Sequence, residues 1–121
     1  MGESIIKNKS YQLAIDGIIL FRYLQEEKRE FILSKQFLRS ITSVGANVRE
    51  AVNAQSKPDF IHKLSIAQKE CDESLYWMEL LKDTQFITEY QFSSIHNQAT
   101  EVLKIIRSII ITSRKNQKAS L

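Results

Sequence analysis

The sequence predicts an all-α fold, an up-down-up-down antiparallel four-helix bundle, and three observations carry that expectation. Apolar residues recur at spacings of three and four in four separate stretches, the period of a helix with one buried face. Only three Gly and one Pro occur in 121 residues, too few for the many tight turns of a β-sandwich. The stretches between the periodic segments are short, so consecutive helices should be antiparallel neighbours. A single domain over residues 1–121 follows, long enough to bury its own core without staples.

The first helix is expected over about 5–27, where Leu13, Ala14, Gly17, Ile18, Leu20, Phe21 and Leu24 make one broad apolar face. The second is expected over about 35–53, with Ser34 as its N-cap and Leu33 placed to staple onto Leu38. The intervening EKREFIL is too apolar for a free loop and should lie against the bundle. In the third helix, about 57–83, Ser56 caps, Pro58 sits in the first turn and Asp59 suits the positive end of the helix dipole. Its inward residues are Phe60, Leu64, Ala67, Cys71, Leu75 and Met78. The fourth, about 89–114, opens with Thr88 and Gln91 as a capping box and Ile87 stapling onto Phe92. Its apolar line then runs through Ile95, Ala99, Val102, Ile106 and Ile109, and residues 115–121 are expected as a frayed tail.

A lone cysteine, Cys71, rules out an intrachain disulfide and fits a reducing, cytoplasmic setting. No apolar run approaches the length of a membrane span, and MGESIIKNKS lacks both a signal-peptide and a myristoylation pattern. A soluble, unprocessed chain with no membrane partner is expected. No Gly-rich phosphate loop, Cys-x-x-Cys or His-Glu-x-x-His occurs, and Asp59-x-x-His62 is the one near miss to a bundle metal site. The expectation is therefore no catalytic residue, no metal, no cofactor and no small-molecule substrate: not an enzyme. The net charge of +3 is uneven. Beyond Glu101 stand Lys104, Arg107, Arg114, Lys115 and Lys118 with no acid, leaving a net −2 before them. Such an end either attracts a polyanion or simply complements a helix C-terminus.

Two helices carry a second stripe beside the apolar one. In SITSVGANVREAV, Ile41, Val44, Val48 and Ala51 form the apolar line, while Ser40, Ser43, Asn47 and Glu50 repeat about a quarter turn away. In the third helix, Asp59, Lys63, Ile66, Glu70, Glu73 and Trp77 do the same. The short link between the two helices sets Arg39 level with Glu70 and Glu73, and Asn47 and Glu50 level with Lys63 and Asp59. Intrahelical pairs Lys69–Glu73 and Asp59–Lys63 are one account of the charges. Ser and Asn are mediocre helix formers, however, and Trp77 suits an interface anchor, so the stripes are also a candidate subunit interface.

Residues 36–81 resemble the four-helix bundle proteins encoded within 23S rRNA intervening sequences. The matching positions are Arg39, Ser40, Ser43, Asn47, Glu50, Ala51, Ser56, Asp59, Phe60, Lys63, Ala67, Glu70, Glu73, Tyr76 and Trp77. SYQLAIDGIILFRYL and EVLKIIRSIIITSRK also fit the family's looser pattern, while Ile41 and Val48-Arg49 depart from it. The resemblance implies a bundle assembling as a ring-shaped homopentamer. It also implies kinship with the accessory bundle proteins of diversity-generating retroelements, which bind nucleic acid and a reverse transcriptase. Two functions are then in view: a non-enzymatic oligomer binding rRNA or another nucleic acid, or a protein–protein scaffold. For the first, Arg114, Lys115 and Lys118 are the expected contacts, with Arg107 partly tied to the bundle and Arg49 a second candidate.

Overall fold

The structure is a computed structural model describing residues 2–120. Four helices account for nearly all of them: α1 (Gly2–Glu26), α2 (Leu33–Val52), α3 (Lys57–Asp83) and α4 (Glu89–Ser120). They pack in a square, each consecutive pair in contact and α1 closing onto α4, with α2 and α3 the most extensively packed pair. This is the antiparallel up-and-down bundle that short connections require. Phe37, Ile41, Leu64, Met78 and Ile106 are among the fully buried side chains at its centre.

Two of the expected helix starts form as read. Ser56 Oγ accepts from Asp59 N–H at 3.2 Å. Thr88 and Gln91 close a reciprocal capping box, with bonds of 2.9 and 3.1 Å. α3 ends with Gln85 in the left-handed region at φ 68°. Gln85 N–H bonds to Lys82 O and Phe86 N–H to Leu81 O, both at 2.9 Å, which is a Schellman closure without glycine.

The start of α2 differs. Ser34 is not its N-cap but a buried residue of the first turn, and the cap residue Ile32 makes no side-chain bond. Glu30 does the capping instead. Its carboxylate accepts from Ile32, Leu33 and Ser34 N–H at 3.2, 3.0 and 2.6 Å, satisfying donors that a helix start leaves unpaired. Ser34 Oγ donates to Glu30 O at 2.7 Å and accepts from Gln25 Nε2 at 3.2 Å, tying the turn to α1. The loop is thus anchored by a buried acid rather than by its apolar residues: Phe31 and Ile32 face solvent, and Leu33 alone of the three packs on the core.

Both terminal helices run longer than the periodicity suggests. α1 begins at Gly2, and α4 continues through 115–120 instead of fraying. Arg107 reaches Asp72, so the antiparallel register carries the last turns of α4 beside the first turns of α3. There Ile110 and Ser113 stay buried and Gln117 half-buried, which extends the packed face through Gln117. Leu121 lies outside the described residues.

α1 and α2 pack closely, backbone on backbone at Gly45 and backbone on side chain at Gly17. A Cβ on Gly17 would lie 2.7 Å from Ile41 Cγ2, and one on Gly45 would lie 3.2 Å from Ser10 O. Ser10 and Gly17 are buried on α1, so these two contacts fix its height on α2.

The Glu30 cap has a pH signature. Burial alone would raise its carboxyl, but the backbone N–H bonds to the charged form outweigh it and hold the group below its ordinary value of 4.5. A lowered folded value means the contribution is complete above 4.5 and is lost as the pH falls through the lowered one. Glu30→Gln is expected to lose about 1–2 kcal/mol of stability at neutral pH, with the gap to wild type closing below pH 4.5. Urea melts across that range check it; a gap unchanged on acidification rules out a charged cap.

Candidate functional site

α2 and α3 bring the charged second stripes together within one chain. Arg39 Nη1 lies 3.0 Å from Glu70 Oε2, and its Nη2 lies 2.6 Å from Glu73 Oε1. Glu73 Oε1 also accepts from Trp77 Nε1 at 3.2 Å, and Tyr76 sets its ring edgewise on Trp77 at 5.1 Å. At the other end of the seam, Lys63 Nζ lies 3.0 Å from Glu50 Oε1. Of the two accounts the sequence offers for these charges, the cross-helix register holds: Glu73 and Lys63 take Arg39 and Glu50 on α2, not Lys69 and Asp59 on α3. The Arg39 guanidinium, with smaller help from Trp77, holds the Glu73 carboxyl below its ordinary range, although burial works the other way.

Ser40 does not belong to the outer edge with which the sequence groups it. It is fully buried, accepting from Ser74 Oγ at 3.0 Å and donating to Phe37 O at 3.1 Å. Two serines facing each other let α2 and α3 approach, so Ser40 is an intrachain contact. Ser43 and Asn47 are half-buried and bond back to their own helix, to Arg39 O and Ser43 O at 2.6 and 2.9 Å. Asp59 is exposed in the first turn of α3, and Trp77 is half-buried at the far end of the seam. A continuous face remains, running from Asp59, Glu50 and Lys63 through Asn47 and Ser43 to Arg39, Tyr76 and Trp77.

The cations of α4 are arranged more regularly than their count suggests. Lys104, Arg107, Arg114, Lys115 and Lys118 are all exposed. At 100° per residue they fall within about one quadrant of the helix, together with exposed Ile111, along about 21 Å of its axis. Arg107 alone among the five touches an acid among the described residues, Asp72 at 3.5 Å. The signal was available in the spacing of 104, 107, 111, 114 and 118, three and four apart on a charged face rather than an apolar one. Arg49 stands apart from this stripe, exposed near the end of α2 with its guanidinium 5.7 Å from the Tyr11 ring centroid.

Among the described residues no group of three His, Cys, Asp or Glu is placed to hold a metal ion, and no helix is long and apolar enough to cross a membrane. His62 is exposed, and His96 stacks on Phe92 at 4.7 Å. Cys71 is fully buried, its thiol donating to Ala99 O at 3.3 Å, and burial pushes it up to about 12. At neutral pH it holds its proton and is no nucleophile.

A bundle with a charged inter-helix seam and a cationic outer stripe is a class shared by many binding proteins. Here the comparison is specific. The family model for the 23S rRNA-intervening sequence protein matches residues 2–108, and the chain belongs to that family. It is similar to a crystal structure from Bacteroides thetaiotaomicron, described as a protein of unknown function from the S23 ribosomal protein family. The two share 50% identity over 91% of this chain and 98% of that one, with a TM-score of 0.90. No curated protein matches.

The Arg39 cluster is half-exposed, so its ion pairs are screened. Arg39→Ala is expected to cost no more than about 1 kcal/mol at physiological ionic strength, and less in molar salt. Paired urea melts at the two salt concentrations check this. A loss of several kcal/mol, unaffected by salt, would mean the cluster is a buried core element instead.

Proposed function

We propose that this protein is a non-enzymatic, oligomeric nucleic-acid-binding bundle that takes RNA on the cationic stripe of α4. The observation that carries the reading is the alignment of Lys104, Arg107, Arg114, Lys115 and Lys118 on one exposed helix face. A straight row of guanidinium and ammonium groups is a footprint for a phosphate backbone, since each contact releases a condensed counterion. The stripe has the same charge in every copy, so oligomerisation multiplies it. The family's own description, tied to 23S rRNA, and the S23 ribosomal designation of the Bacteroides protein agree with an RNA ligand.

The same proposal places the subunit interface on the outer α2–α3 seam, in a ring of five. Ser43, Asn47, Glu50, Asp59, Lys63 and Trp77 supply small, polar and aromatic side chains there, while Tyr76 is 56% exposed beside the tryptophan. Small side chains admit a neighbouring backbone, and aromatic residues favour interfaces.

Replacing Arg114, Lys115 and Lys118 together by Gln should weaken RNA binding and flatten its salt slope by about 2, leaving the oligomer intact. Filter binding at several salt concentrations reads both quantities. A triple variant that binds like wild type throughout reduces the stripe to a helix terminus, and a wild type that binds no RNA at low salt hands the reading to a protein scaffold. For assembly, Asn47→Leu and Glu50→Lys should lower the mass seen by light scattering without lowering helicity. A wild-type protein that scatters as a monomer at micromolar concentration defeats the interface.

A further inference from the structure

α1 and α2 enclose a groove of about 360 Å³ whose chemistry differs from that of the seam and the stripe. Its floor is made of side chains no larger than threonine: Ala14 on α1, and Thr42, Gly45 and Ala46 on α2. One wall is the ring of Tyr11, 57% exposed and so open to a ligand. Lys7 and Arg49 stand at one end, and neither has an acidic partner among the described residues. Glu50 also lines the groove, but its carboxylate is engaged by Lys63 on the far side of α2. The groove therefore offers a flat apolar floor, one exposed ring, and two uncompensated cations.

We propose that this groove takes an unstacked base of single-stranded RNA, with Tyr11 as its stacking platform and Lys7 and Arg49 on the adjoining phosphate. The small floor leaves the space a planar ring needs, and its volume lies at the lower end of the range for ligand sites, about 300–1,000 Å³. Arg49 already sits against the Tyr11 ring, the cation–π arrangement found where bases stack between aromatic and guanidinium groups. Because the helices alternate in direction, the start of α1 and the ends of α2 and α4 share one end of the bundle. The stripe leans toward α3, where Arg107 meets Asp72, so the groove between α1 and α2 is a separate contact at the same end of the bundle. The inference rests on the RNA-binding reading and adds to it a preference for unpaired over duplex RNA, which a cationic stripe alone does not supply.

The experiment compares a short fluorescein-labelled single-stranded RNA with the same strand in a duplex, by fluorescence anisotropy, against wild type, Tyr11→Ala, Tyr11→Phe and the Lys7→Gln/Arg49→Gln pair. Tyr11→Ala should lose about tenfold in affinity for the single strand, with an unchanged salt slope, while Tyr11→Phe keeps wild-type affinity. Duplex binding should be the same for all three Tyr11 forms. The double cation variant should lower the single-strand salt slope by about 0.7 per charge removed. Equal single-strand affinity in Tyr11→Ala and wild type, or an equal loss on duplex, overturns the groove assignment. If the triple Gln variant of α4 loses affinity while Tyr11→Ala does not, the groove falls and the stripe stands. If wild type binds neither RNA at low salt, both fall. Tyr11 is exposed, so circular dichroism of the variant should match wild type and keep each comparison valid.

Discussion

The constraint on which the rest depends is the close packing of α1 on α2, with Gly45 against the Ser10 carbonyl and Gly17 against the Ile41 side chain. Neither Gly17 nor Gly45 can accept a side chain without displacing Ile41 or crowding the Ser10 carbonyl. Two such contacts, seven residues apart on α1, fix both height and rotation. They deliver Lys7 to the level of Arg49 and leave a floor without large side chains between them. Interiors pack near crystal density, so a methyl group on Gly17 would displace the Ile41 side chain and one on Gly45 would press on the Ser10 carbonyl.

α2 then mediates between two kinds of neighbour. Toward α1 it offers glycine and alanine, and toward α3 it offers serine and charge. The α3 side is held by Ser40 on Ser74 in the interior and by Arg39 and Glu50 at the rim. Division of labour follows from dielectric. The serine pair is buried and fully satisfied, so it sets the close approach, while the rim pairs are part-exposed and set register more than stability. The face left outside this seam is polar, small and aromatic, the composition that the assembly proposal uses.

The fold was legible because helix periodicity and capping are local. Ser56 with Pro58, and Thr88 with Gln91, each announce a start within four residues. The level pairing of Arg39 with Glu70 and Glu73 was legible too, because a short α2–α3 link leaves only one register. What stayed hidden was non-local or misread in kind. Glu30 caps from two residues before the cap position itself, and the turn is tied to α1 through Gln25 and Ser34, so a local reading favours Ser34. Ser40 carries the same spacing as Ser43 and Asn47, yet a small rotation of the helix puts it inside. The α4 stripe is a matter of geometry, visible when its cations are placed around the helix and invisible in a charge count. Its last turn was read as frayed because the support comes from the start of α3, distant in sequence. The α1–α2 groove exists only as a relation between two helices.

Cys71 has a practical consequence. It is the chain's one cysteine, it is sealed in the core, and its thiol stays protonated far above neutral pH. The surface is therefore chemically silent to maleimides and iodoacetamides while the bundle is folded. A cysteine introduced on any exposed position becomes the one reactive handle, with no need to delete a native thiol first. Dyes, spin labels or crosslinkers can be set at chosen points of the seam, stripe and groove, and the proposed contacts at each probed with the core unmodified.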